Sequence, residues 1–460
     1  MTRTTTVVLV TLLALTVPGC ARDGGVEAGG GLQATPPSLA VDPASTSPTD
    51  QDILRIQTKL SARPADPTAR LELAYAFLQK ARETGDPSLY TKADALLTDL
   101  AASPEGKTNP GVLVAQGTLS LARHRFEDAL DLGRRAVVAA PGNASALGVV
   151  VDASNELGRY DEAVEATQAM ADARPSLPAL ARVSYARELR GDLAGAITAM
   201  AQAVGAGAGT GENLAYAQVQ LGHLLLTSGD LAAAETAYAA AARSFPGSAL
   251  PDAGRARVLV AQGNPSDAAD LLAGVVQQLP IAEHAIAHGE ALAAAGRRSE
   301  ADSAFELVRA IAKLDKANGV NTDLEMALFE ADHGRPSEAV KVARTALKGR
   351  PGIYGRDALA WALFRDGKVD EASIEARKAT VLGTRDPSLR FHAAVIADAK
   401  GDRQAATEHL TVVLATNPAF SAHHGPAVRS LAARLGLAAP QTPVAVVAAP
   451  VVPARPIRAG

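Results

Sequence analysis

The sequence holds one cysteine, Cys20, in 460 residues, so no internal disulfide is available to it. Aromatic residues supply 3% of the chain, with one tryptophan, Trp361, although 47% of the residues are hydrophobic. A core built under that restriction consists of Ala, Leu and Val, whose small members let helices approach closely. Neither sign of charge dominates. With 45 Lys and Arg against 49 Asp and Glu, the formal net charge of −4 gives no attraction to nucleic acid or anionic lipid. Motifs of chemistry are missing as well: there is no Gly-x-Ser-x-Gly elbow, no Cys-x-x-Cys pair and no dinucleotide-binding glycine fingerprint. The glycine-rich stretch 205–211 has no Lys-Ser or Lys-Thr after it and follows a helix instead of a strand, which argues for a connector over a phosphate loop. His284 and His288 stand four apart on one helix, but without the intervening Glu of zinc proteases and without a third ligand in reach. A structural histidine is expected at His288 and a loop at His423–His424. These absences predict a non-enzyme with no catalytic residue, no cofactor and no metal.

What the chain does have is a repeat. Residues 143–175 read as one helical hairpin: Leu147, Val150, Val151 and Leu157 fall at helical spacing, Gly158 stops the first helix, and a second carries Ala163, Val164 and Met170 up to Pro175. Ala129, Ala163, Ala196, Ala234, Ala268, Ala301, Ala339, Ala372 and Ala406 hold the same place in successive units, at intervals of 34, 33, 38, 34, 33, 38, 33 and 34 residues. A glycine stands five residues before each of them except Ala129, where His124 takes its place. Prolines follow most of them twelve residues on, from Pro141 to Pro418. A hairpin of this size cannot bury its apolar faces alone, so neighbouring copies must stack on it. The two intervals of 38 place extra residues at 205–211 and 313–320, where longer connections are expected.

This period, the small first-helix residues Gly117, Gly222 and Gly289, the second-helix aromatics Tyr238 and Phe305, and Ala136, Ala241, Ala346 and Ala379 resemble the tetratricopeptide repeat family over about three quarters of the chain. The resemblance implies an all-α fold, a right-handed α-solenoid of about ten stacked hairpins. Residues 52–436 are assigned to it, with a divergent first unit from Arg70 to Pro104 and a capping helix at 427–435. It also implies that first helices line a concave groove that contacts an extended peptide or a partner helix. Carried over unit by unit, that lining comprises Asp152, Asn155, Glu156, Tyr185, Glu188, His223, Arg257, Glu283, Glu290, Leu324, Leu328, Asp332, Tyr354, Asp357, Trp361, Phe364, Arg365, Phe391, Val395 and Asp398. Its charged members are mostly acidic, which favours a basic partner segment. Leu324, Leu328, Trp361, Phe364, Phe391 and Val395 form an apolar stretch that either anchors a partner or, in the case of Trp361, packs between hairpins.

At the N-terminus Arg3 precedes an apolar run, 7–17, too short to span a bilayer, and reads as an export signal. The ending Val17-Pro18-Gly19-Cys20 resembles a bacterial lipobox, with Pro18 in place of the usual small or hydroxylated residue. It implies a lipoprotein signal peptide over 1–20 and a lipid on Cys20; the other reading is an ordinary secretory signal with an incidental cysteine. Residues 21–51 are then a flexible linker, and 437–460 a disordered Pro, Ala and Val-rich tail. The expectation is a lipid-anchored scaffold on the extracytoplasmic face of the cell envelope that docks protein partners. The alternative is a module that binds peptidoglycan, another glycan or a small peptide.

Overall fold

A computed structural model describes residues 35–207 and 211–438. The expected signal peptide with Cys20, the start of the linker 21–51, residues 208–210 of the glycine-rich connection and all but the start of the tail 437–460 lie outside the described residues. Among the described residues there are 23 helices and no strand. They fall into two units, the first reaching to residue 174 and including 313–321, the second comprising 175–312 and 322–438.

The first unit runs through α1 (Pro48–Ala62), α2 (Pro67–Thr84), α3 (Ser88–Leu100), the short α4 (Pro104–Thr108), α5 (Pro110–Ala122), α6 (Phe126–Ala139), α7 (Ala144–Glu156) and α8 (Tyr160–Ala173). The second contains α9 (Leu177–Leu189), α10 (Leu193–Ala206), α11 (Glu212–Thr227), α12 (Leu231–Ser244), α13 (Leu250–Ala261), α14 (Pro265–Gln278), α15 (Ala282–Ala294) and α16 (Arg298–Ala317), whose end belongs with the first unit. It continues with α17 (Asp323–His333), α18 (Pro336–Gly349), α19 (Ile353–Arg365), α20 (Val369–Ala379), α21 (Pro387–Lys400), α22 (Arg403–Ala415) and α23 (Gly425–Leu435). Within each unit helices pair as antiparallel hairpins that stack on one another, so both units are all-α solenoids.

The hairpin at 143–175 shows why this sequence folds so. The Asn143 side chain accepts from the amides of Ser145 and Ala146 and starts α7. Gly158, at φ 69, reverses the chain in the left-handed conformation that a Cβ disfavours. Val149, Val151, Ala163 and Met170 are buried, and all nine period-marking alanines are too. Bulk on second helices answers the missing bulk on first helices. Tyr238 is 0% exposed, and a Cβ on Gly222 or Gly254 would come within 2.4 or 2.3 Å of its ring. Phe305 fills the space that Gly289 leaves in the same way.

His124 is the one non-glycine residue with positive φ among the described residues, at 55°. Its ring Nδ1 lies 2.6 Å from the Asn321 carbonyl oxygen, and the Asn321 amide donates to the Arg123 carbonyl at 3.1 Å. The extra residues at 313–320 thus lengthen α16 and then dock within the first unit instead of forming a loose connection. At the other end of that unit, residues 35–47, expected as linker, lie against α1. Leu39 exchanges two hydrogen bonds with the Gln57 side chain, at 2.7 and 3.0 Å, and packs on the core with Val41.

Candidate partner-binding surface

In the second unit the first helix of each hairpin is α9, α11, α13, α15, α17, α19 or α21. The run curves until the turn after α9 meets the connection into α21. A Cβ on Gly191 would lie 2.5 Å from the Gly383 carbonyl oxygen, so only glycine permits this approach. The contact brings the end of α9, with Glu188, near Asp386, whose side chain caps α21 by accepting from the amides of Ser388 and Leu389.

Glu188, His223, Arg257, Glu283 and Asp386 are each part-exposed, yet each is surrounded by protein. Burial pushes the Glu188 carboxyl up to about 8; the charge of Asp386 adds to the rise and Arg257 opposes it. Glu283 is raised to about 7 by burial, with Arg257 opposing and Glu325 assisting. Burial also raises Asp386 to about 6, against the Leu389 and Ser388 amides and with the help of Asp357. One guanidinium therefore serves two carboxyl groups, Glu188 and Glu283. Arg257 also donates to His223 Nδ1 at 3.2 Å, and the Tyr238 hydroxyl lies 2.8 Å from the same nitrogen. An arginine can only donate, so Nδ1 carries no proton; burial, then Arg257 and His284, hold His223 well below the usual imidazole range. Glu325 is paired with Arg350 at 3.1 Å. The arrangement gathers carboxyl groups that burial keeps from ionising fully at neutral pH, so an incoming cationic side chain would favour their charged forms.

The sequence expectation is met only in part by where these residues lie. Glu188, His223, Arg257 and Glu283 come together. Asp152 and Asn155 are buried, and Glu156 is part-buried, in the first unit. Tyr185 is buried, and Tyr354 packs part-buried on the core. Asp398 pairs with Arg434 at 2.6 Å.

The apolar stretch must be corrected. Leu324, Leu328, Trp361 and Phe391 belong to the core of the second unit, with Phe364 and Val395 packed against it. Trp361 is 3% exposed, stacks on His392 at 4.2 Å between ring centres, and donates from Nε1 to Asp332 at 2.9 Å. Asp332 takes Arg365 as well, at 2.6 Å, and Asp357 is held by His392 Nδ1 at 2.8 Å. Glu290 is likewise buried, 3.9 Å from His333 Nε2. These acids face hairpin neighbours, because the next first helix covers the face that a free groove would leave open. His284 is buried with Nδ1 3.1 Å from the Leu279 carbonyl, and His288 is part-buried. Among the described residues no group of His, Cys, Asp and Glu is placed to hold a metal ion.

Sequence reasoning missed Asp386 and Glu325. Asp386 stands before Pro387 and reads as a helix cap, and nothing local tells that its helix start faces the end of α9.

Residues 113–178 and 219–283 match the tetratricopeptide repeat family. Among solved structures the chain is similar to the APC/C hetero-tetramer Cut9–Hcn1, with 15% identity over 85% of this chain and 67% of that one, at a TM-score of 0.46. It is also similar to a tetratricopeptide repeat protein from Parabacteroides merdae, with 16% identity over 56% of this chain and 98% of that one, at a TM-score of 0.33. No curated protein sequence matches the chain.

Proposed function

We propose that this chain, a tetratricopeptide repeat protein and so a protein–protein interaction scaffold, docks a basic extended segment of a partner protein on the first-helix face of its second unit. The observation that carries the reading is the gathering of Glu188 and Glu283 about the guanidinium of Arg257, with Asp386 beside Glu188. A lysine or arginine side chain entering there supplies the missing positive charge and lets the raised carboxyls ionise. Charge complementarity of this kind sets orientation and association rate, and its effect falls with salt.

The proposal includes the site of action. Arg3, the apolar run 7–17 and Cys20 support export and lipid anchoring, with the scaffold acting on the outer face of the membrane in the cell envelope. No helix among the described residues is long and apolar enough to cross a membrane. The repeat architecture supports a non-enzymatic role.

Crosslinking followed by pull-down from membranes tests the reading, with the wild type beside Glu188→Lys and Glu283→Lys. One protein, recovered near stoichiometry and displaced by a penta-lysine peptide, is expected from the wild type and lost from both variants while far-UV ellipticity is unchanged. Recovery of a glycan in place of a protein, or retention of the partner by both variants, overturns it.

A further inference from the structure

We propose that α23 and the loop before it, 416–424, form an acid-released latch, held shut by the rings of His333 and His424 in the aromatic core beside them. The loop is fixed locally by Ser421, whose Oγ accepts from the amides of His423 and His424 at 3.1 Å each. That turn drives His424 into the core, where it is 1% exposed. Its ring lies 4.8 Å from Phe391, 5.6 Å from Trp361, 5.9 Å from His392 and 4.9 Å from His423, between centres. His333, at the end of α17, sits 3.8 Å from Phe305, 5.1 Å from Phe329 and 6.0 Å from His423. Phe420 closes the other side of the loop against Phe391, at 6.0 Å.

The charges around these two rings decide what a proton does there. His424 Nε2 is 3.9 Å from Asp332, but that carboxylate already takes Trp361 and Arg365. His333 Nε2 is 3.9 Å from Glu290, with Arg309 close by, itself 3.5 Å from Glu330. Asp357 faces His392 Nδ1 at 2.8 Å. Burial, then Arg309 and Arg365, hold His333 down at about 3. His424 is held well below the usual imidazole range by burial, then by His423, His392, Arg365 and His333. In water both rings take a proton at about pH 6.5. As pH falls below that value, the conformation that gives them water is favoured over the closed one.

The cheapest way to give them water is to lift the loop. It carries His423 and His424 itself, and its departure uncovers His333. The helix it leads into is terminal, held by hydrogen bonds from Arg403 to the carbonyls of Arg434 and Leu435, by the Arg434–Asp398 pair, and by the apolar face of Val428, Leu431 and Leu435. Terminal elements open at a fraction of the global unfolding free energy. Release bares Trp361, Phe391 and Phe420, so acid converts a closed end of the solenoid into an apolar surface.

The full chain reports on this directly, because Trp361 is its only tryptophan. Titrated from pH 7.5 toward 4, Trp361 emission should shift to the red, and amide protection over 417–435 should fall. Both are expected roughly half a pH unit or more above the loss of far-UV ellipticity. His424→Phe, which keeps a ring but cannot take a proton, should move the emission midpoint down by about half a unit or more. Should that variant not fold, His333→Phe decides on the same criterion. Emission and ellipticity falling together in the wild type, or a variant that titrates like the wild type, overturns the latch.

Discussion

Replacing Trp361 with alanine separates a partner anchor from a core side chain, and the structure gives the size of the effect. The indole is 3% exposed, stacked on His392 and Phe364, and its N–H is one of the groups that hold Asp332, whose side chain is 0% exposed. Deleting a buried ring of this kind costs about 3–5 kcal/mol in lost transfer free energy and residual cavity. Asp332 then keeps Arg365 but loses its neutral donor in a dry site, a further ~1–3 kcal/mol. Against a typical domain stability of about 5–15 kcal/mol, the sum removes much of what holds the second unit. Trp361→Phe keeps most of the packing and loses only the N–H, for about 1–2 kcal/mol. Urea unfolding followed by far-UV ellipticity, which does not depend on the lost fluorophore, measures both. If Trp361→Ala lowers stability by less than about 1 kcal/mol and weakens partner capture, the core assignment is refuted.

Other perturbations read other parts of the same physics. His223, His284, His333 and His424 are all held below the ordinary imidazole range, so their contribution is complete above about pH 6.5 and is lost as pH falls below it, at up to ~1.4 kcal/mol per unit per group. Glu188, Glu283 and Asp386 are raised, so theirs is complete below the unfolded values near 4 and is lost as pH rises through about 8, about 7 and about 6. Thermal melts from pH 4 to 9 should therefore peak near about pH 6, and Glu188→Gln should flatten the alkaline limb; a melting temperature still rising at pH 8 contradicts both signs. Gly254→Ala places a methyl 2.3 Å from the Tyr238 ring and should cost about 1–3 kcal/mol or more, with strong coupling to Tyr238→Leu in a double-mutant cycle. Additive effects would mean that the ring has other room. His124→Gly relieves a left-handed backbone cost of about 1–2 kcal/mol and loses a ring hydrogen bond of about 1 kcal/mol. Its melting temperature should thus change little while the Asn321 amide exchanges faster, and unchanged exchange would sink the clamp.

The hairpins were legible because their determinants are local. An alanine that must let two helices touch, and a glycine that must turn left, leave a mark at every copy, and the period of those marks gives the stack directly. The recess was half legible for the same reason: Glu188, His223, Arg257 and Glu283 each fall at the inward position of their own first helix. Their joint character was hidden, because it depends on Asp386 coming round to Glu188. That approach is the sum of small rotations between several hairpins, and no residue carries it alone. Sequence left Trp361 open between a partner anchor and a side chain packed between hairpins for a related reason. Its position on a first helix is the same whether the next hairpin covers it or leaves it open, and what covers it is the loop that Ser421 turns inward, some sixty residues later in the chain.

The two irregularities of the repeat carry the clearest lesson about what a broken pattern means. In sequence they look unrelated: a histidine where a turn glycine belongs, and, nearly two hundred residues on, a connection with extra residues. In space they are the two sides of one contact, His124 Nδ1 to the Asn321 carbonyl, flanked by the Asn321 amide on Arg123 and by Thr91 on Asn318. Glycine at 124 is the cheaper residue for the backbone, so the histidine is retained against a local cost. A local cost tolerated at one copy of an otherwise regular turn requires a partner that only that copy meets, and residues 318–321 are that partner.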